Sequence, residues 1–247
     1  QFLAGIEPEQ LVSILSAIAE ETPSLRSTVQ IFQAEQALRN RDVLRTREIL
    51  DSIEWAKIVD ARLLLFAVNI REAMGTPIDL KEAERLLDSV GKFALEDSSL
   101  IIQVVIRYWN SGRVDEAFAL LENAIESTPG DPELIVAGAM LSTISGSEES
   151  ETWVQDLDQL ANNTSLSLAE RERVDLARMI LDKSASELLL ASPGSLNRWL
   201  NETLVLCAMG DLSVESERLK AAVTAYQLAL ASTDAGSHPI NARLLRA

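Results

Sequence analysis

The chain has 247 residues, 47% of them apolar and 4% aromatic, and carries 38 Asp+Glu against 22 Lys+Arg for a net charge of −16. A field of that sign repels phosphate backbones and argues against nucleic acid as a partner. The longest apolar runs, near 61–70 and 100–106, fall well short of the ~20 residues that a membrane-spanning helix needs.

Only 10 Gly and 7 Pro interrupt a chain rich in Ala, Leu, Glu and Arg, which favours helices over a β-sandwich. Glu7-Pro8-Glu9 opens a first predicted helix with proline in the first turn and acids at the positive dipole end. Leu11, Ile14, Leu15 and Ile18 continue it at helical spacing until Thr22-Pro23-Ser24. A second helix is expected over about Ser27–Leu38, turned by Asn40-Arg41-Asp42, and a third carries Ile49, Leu50 and Ile53. A fourth holds Leu63, Leu64, Phe66, Ala67 and Ile70, and Gly75-Thr76-Pro77 breaks it before a helix through Leu86, Leu87 and Val90.

Leu100–Trp109 is apolar nearly all round, so it is expected to be buried on most sides. Ser111-Gly112 turns the chain into a helix over 115–127, and Pro129-Gly130-Asp131-Pro132 punctuates before another over Glu133–Ile144. Ser145–Glu151 reads as a polar loop. Further helices are expected near 151–161, 168–182, Leu196–Met209 and Val214–Ala231, and the tail from Ser232 is broken by Gly236 and Pro239. The total is about eleven to thirteen helices in antiparallel pairs, with no sheet.

Comparing the sequence with itself brings out a repeat. Glu82-Ala83, Leu86-Leu87 and Val90 return as Glu116-Ala117, Leu120-Leu121 and Ala124, each 34 residues on. A fixed offset of that size marks stacked helix pairs, because one pair alone cannot bury its apolar face. Ser98–Asp131 has an apolar first helix with Tyr108 near its end, Gly112 at the turn, small residues Ala117 and Ala124 in the second helix, and Pro129 at the close. This segment resembles a tetratricopeptide repeat. It departs from that pattern at Val105, where the family has a small residue. A weaker copy spans about 61–97, with about three extra residues between Gly75 and Ala83, and a still weaker one spans 26–56 with Thr46 in the small position. Leu196–Ala231 keeps Trp199 and Gly210 at plausible spacing but lacks the second-helix alanine at the expected place.

The resemblance implies an all-α fold, a right-handed α-solenoid of antiparallel helix pairs, as one unit over 1–231 with a weak junction near 145–151 and a tail over 232–247. It also implies a protein-interaction scaffold built from degenerate repeats, non-catalytic and part of a larger assembly or polypeptide. A spacer or oligomerisation segment of an envelope, secretion or trafficking complex stays open, as does a non-catalytic domain of a larger enzyme.

The residues themselves offer little chemistry. His238 is the only histidine and Cys207 the only cysteine, which removes two-histidine and two-cysteine metal sites and argues against a Ser-His-Asp triad. The glycines are scattered singly, so no phosphate loop forms. Asp156 and Asp158 point to different faces of a helix. Glu148, Glu149 and Glu151 read as a solvated loop rather than a calcium site, and Asn162, Asn163 and Asn201 open formal glycosylation triplets. No catalytic, cofactor or metal residue is expected.

In the tetratricopeptide family the first helices of successive repeats line a groove. Here that face would carry Ser99, Ile102, Ile106 and Trp109, then Glu133, Val136 and Met140. Ile, Val and Met do not make a carboxylate clamp. An apolar face predicts an amphipathic helix as ligand, and the competing reading is that this chain's own helices fill it. Residues 76–166 hold 5 Lys+Arg against 17 Asp+Glu, so basic flanks on a partner would be attracted there, although the same charge also serves solubility. A homo-oligomer is compatible with this pattern. A single cysteine with no disulfide framework fits a cytoplasmic home, while the start at Gln1 rather than Met keeps export with a removed leader open.

Overall fold

The computed structural model describes residues 25–146, 150–181, 202–215 and 217–231, with Ile14, Ile240 and Leu245 as isolated positions. The expected first helix apart from Ile14, residues 147–149 of the expected loop, Trp199, Asn201 and the tail with His238 lie outside the described residues.

Among the described residues the protein is all-α: eleven helices and no strand. They are α1 (Arg26–Arg39), α2 (Val43–Asp51), α3 (Ala61–Met74), α4 (Pro77–Phe93), α5 (Ser98–Asn110), α6 (Val114–Ser127), α7 (Pro132–Ser145), α8 (Ser150–Ala161), α9 (Leu168–Leu181), α10 (Glu202–Glu215) and α11 (Leu219–Ala231). The chain divides into two compact units, Gln1–Ala94 and Leu95–Ala247, and the polar 145–151 segment lies inside the second.

In the first unit, α1 packs on α2 and on α3, and α3 packs along α4. Phe32 and Phe66 bring α1 and α3 together with ring centroids 5.5 Å apart. Helix starts follow side-chain chemistry. Asp42 accepts from the Arg45 amide, Asp60 from those of Arg62 and Leu63, and Thr76 from that of Asp79, each satisfying amides that the first turn leaves unpaired.

In the second unit, α7 is the central element and packs against α5, α6, α8, α9 and α10. Its burial runs from Glu133 through Ser142 without a break, as expected for a helix apolar on every side. Asp131 caps it, accepting from the Glu133 amide at 2.8 Å and from the Ser98 hydroxyl at 2.5 Å, which joins the start of α5 to the start of α7. Gly138 lets α8 approach: a Cβ there would lie 2.2 Å from the Trp153 ring.

Three helix pairs are built alike. In α1–α2, α5–α6 and α10–α11 the turn residue Arg41, Gly112 or Glu217 has φ of 61°, 79° or 60°. The next amide closes on the carbonyl five residues back: Asp42 to Ala37 at 2.9 Å, Arg113 to Tyr108 at 2.8 Å and Arg218 to Ser213 at 2.8 Å. Seven residues before each turn residue stand Ala34, Val105 and Gly210, all buried. Twelve, sixteen and nineteen residues after those come Thr46, Leu50 and Ile53; Ala117, Leu121 and Ala124; and Ala222, Tyr226 and Ala229, every one buried. The Thr46 hydroxyl donates to the Ala34 carbonyl at 3.4 Å, which places the first pair's crossing at those two residues.

This corrects the reading of the last pair. Helix α10 runs through Gly210 to Glu215, so that glycine lies inside the helix and the turn falls at Glu217. A Cβ on Gly210 would sit 2.3 Å from the Tyr226 ring, so glycine is there for close packing and not for a turn. Counted from Gly210, the missing alanine is Ala222.

Candidate functional site

The face proposed from sequence as a groove is enclosed. Ile102 and Met140 are fully buried, Val136 is 2% exposed and Trp109 4%. Glu133 is also buried, and Ser99 and Ile106 are half-buried. Helix α10 packs on α7, so a later helix of this chain occupies space that an open solenoid would leave to a ligand. Ile102, Trp109, Val136 and Met140 are therefore core, and Ile106 is left half-buried at its edge. Glu133 ion-pairs with Arg173 of α9 and so ties α9 to the start of α7.

Nearby residues are likewise spent on packing. Arg113 stacks over the Tyr108 ring at 4.3 Å, and Phe118 of α6 lies against Trp153 of α8 with centroids 6.4 Å apart. Asp158 pairs with Arg178 at 2.7 Å. Cys207 is buried, consistent with a small core residue.

The polar cluster that sequence reading missed lies in the first unit. Asp79 is fully buried and accepts from Arg71 Nη1 at 2.8 Å, Arg47 Nη2 at 2.5 Å and Thr76 Oγ1 at 2.5 Å. Arg71, 2% exposed, also donates from Nη2 to Asp51 at 2.6 Å. Burial pushes the Asp79 carboxyl upward, but hydrogen bonds from Arg47, Thr76 and Arg71 outweigh it and hold the group down at about 2. Arg71 Nε is buried without a hydrogen-bond partner. Two guanidinium groups and one hydroxyl consume both carboxylate oxygens, so Asp79 has no lone pair directed at a reacting group. The cluster is a tie that joins α2, α3 and α4. The 34-residue offset held the signal, because Val105 minus 34 is Arg71, a charge at a core position. The three extra residues after Gly75 belong to the first turn of α4, the turn that carries Asp79.

The second unit also carries a strong acidic bias in sequence. Residues 95–170 hold 14 Asp+Glu against 2 Lys+Arg. Helix α6 has no basic residue, and Asp115, Ala119, Glu122 and Glu126 are all exposed at spacings of four, three and four. That spacing places them on one helix face. Among the described residues no cluster of three metal-ligating side chains occurs, and no helix is long and apolar enough to cross a membrane. No family model, no curated protein and no solved structure matches this chain.

Proposed function

We propose that the chain is a protein-interaction scaffold, a right-handed solenoid of antiparallel, tetratricopeptide-like helix pairs that holds another protein without catalysing a reaction. The observation that carries this reading is the thrice-repeated pair, with one turn hydrogen-bond pattern and one buried spacing at Ala34, Val105 and Gly210. Stacked copies of one supersecondary unit expose successive equivalent helix faces, which is a geometry suited to holding an extended partner. One histidine and one cysteine in 247 residues leave little for chemistry.

The binding face is not the α5–α7 interior. It is the acidic outer surface of the second unit, α6 above all, and its ligand is a protein segment with basic residues. Opposite charge raises the encounter rate and fixes orientation. Cross-linking of a captured partner, read by mass spectrometry, tests this. The expected links map to residues beside Asp115, Glu122 and Glu126. Links confined to the first unit would overturn the assignment of the face.

A further inference from the structure

The sequence holds three Asn-x-Ser/Thr triplets: Asn162-Asn163-Thr164, Asn163-Thr164-Ser165 and Asn201-Glu202-Thr203. A triplet of this kind accepts an N-linked glycan where its amide and its hydroxyl are presented together on a surface loop. The structure separates the three by that requirement.

Thr203 is buried in α10, so the hydroxyl of the third triplet is closed off. Asn162 is exposed, but its Nδ2, the atom that would take the sugar, donates to the Asp158 carbonyl at 2.8 Å. That bond satisfies a carbonyl that the last turn of α8 leaves unpaired. Asn163, Thr164 and Ser165 are all exposed in the connection 162–167 between α8 and α9. Asn163 Oδ1 accepts from the Ser165 amide at 3.0 Å and from the Ser165 hydroxyl at 2.7 Å. This Asx turn sets amide and hydroxyl side by side and uses the asparagine's oxygen, not its nitrogen. The start of α9 does not need that turn. It is closed by a reciprocal cap, in which the Ser167 amide donates to Glu170 Oε2 at 2.8 Å and the Glu170 amide to Ser167 Oγ at 3.3 Å.

We infer that Asn163 is an acceptor for an N-linked glycan. The donor is an oligosaccharide carried on a polyprenyl diphosphate and supplied with its transferase from outside the chain. Asn163 Nδ2 bonds to the anomeric carbon of the sugar, and the bond from that carbon to the phosphate oxygen breaks. The diphosphate leaves with the electron pair, and Nδ2 gives up one proton to the transferase. The only cysteine, Cys207, is buried, so an oxidising lumen offers the chain no disulfide that would compete with this fold. The site lies on the α8–α9 connection and is independent of the reading of α6 as a binding face.

Peptide mass mapping tests this, on the chain isolated from its own cells and on the folded whole chain incubated with a purified oligosaccharyltransferase and its lipid-linked donor. The expected result in both is one glycan, on Asn163, released by peptide-N-glycosidase. Ser165→Ala removes the Asn163 triplet while leaving Asn162-Asn163-Thr164 intact, and should abolish the modification. Ser165→Thr and Asn162→Gln should retain it. These side chains are exposed, so circular dichroism and melting temperature should match the parent's. A bare Asn163 on the chain from its own cells overturns the inference. A glycan on Asn162 that survives Ser165→Ala also overturns it, as does transfer in vitro that occurs only after the chain is unfolded.

Discussion

The α3–α4 and α5–α6 pairs carry one spacing pattern 34 residues apart, yet they hold their crossings by opposite means. In α5–α6, Val105 meets a hydrocarbon environment with Ala117, Leu121 and Ala124 buried around the crossing. In α3–α4 the corresponding position is Arg71, and the first turn of α4 brings in Asp79 to neutralise it. The apolar crossing tolerates no added volume. The charged one tolerates no missing partner. A helical repeat thus fixes where two helices meet and leaves open which force holds them.

Removing one partner of the charged crossing should give the largest effect. Asp79→Ala leaves Arg71 buried and uncompensated, and should cost about 3–5 kcal/mol in urea unfolding. The double change Arg71→Met/Asp79→Leu converts that crossing to the apolar kind. It should recover most of the loss, because Asp51 is largely exposed and Arg47 partly so, and both can return to water. A double variant as unstable as the single would show that the tie contributes more than replaceable core volume.

The apolar crossing breaks in the other direction. Ala117 is fully buried, so Ala117→Leu should overpack it by roughly 1–3 kcal/mol. Unfolding unchanged from the parent would mean that the assigned spacing is wrong.

Acid should separate the two crossings. The Asp79 carboxyl is held at about 2, below its ordinary 3.8, so its stabilisation is complete above about pH 4 and is lost as pH falls towards 2. The loss should amount to about 2 kcal/mol and be absent in the Arg71→Met/Asp79→Leu variant. Hydrogen exchange resolved by segment would place that loss in α2–α4 and not in α5–α6.

The smallest expected effect is at the first pair. Thr46→Ala gives α1–α2 the residue that α5–α6 carries, and deletes the hydroxyl bond to the Asp42 carbonyl at 2.8 Å. It should cost about 1 kcal/mol in thermal unfolding. An effect larger than that of Ala117→Leu would invert the comparison.

The helices were legible because their signals are local. Thr76-Pro77 and Asp131-Pro132 mark starts, and the apolar run 100–106, interrupted only by Gln103, marks a buried helix. The repeat was legible where glycine or alanine stood at the turn and crossing. It was obscured in α10–α11, where a glycine serves close packing inside a helix and the left-handed turn residue is Glu217. The Arg71–Asp79 tie joins residues eight apart across a turn, and its third and fourth members, Arg47 and Asp51, come from another helix. No local pattern announces such a cluster. What covers the α5 and α7 faces was not legible for a related reason. Apolar faces on α5 and α7 look alike whether a ligand or a later helix of the chain covers them, and here α10 packs on α7.

In the proposed function a partner is held on the acidic exposed face of α6 and not in the interior of the second unit. The most direct test is the affinity of a captured partner for Glu122→Lys/Glu126→Lys, with the fold checked by circular dichroism. Both residues are exposed, so the fold should persist while affinity falls by about tenfold or more at low salt. Unchanged affinity in the folded variant would place the partner elsewhere on the molecule.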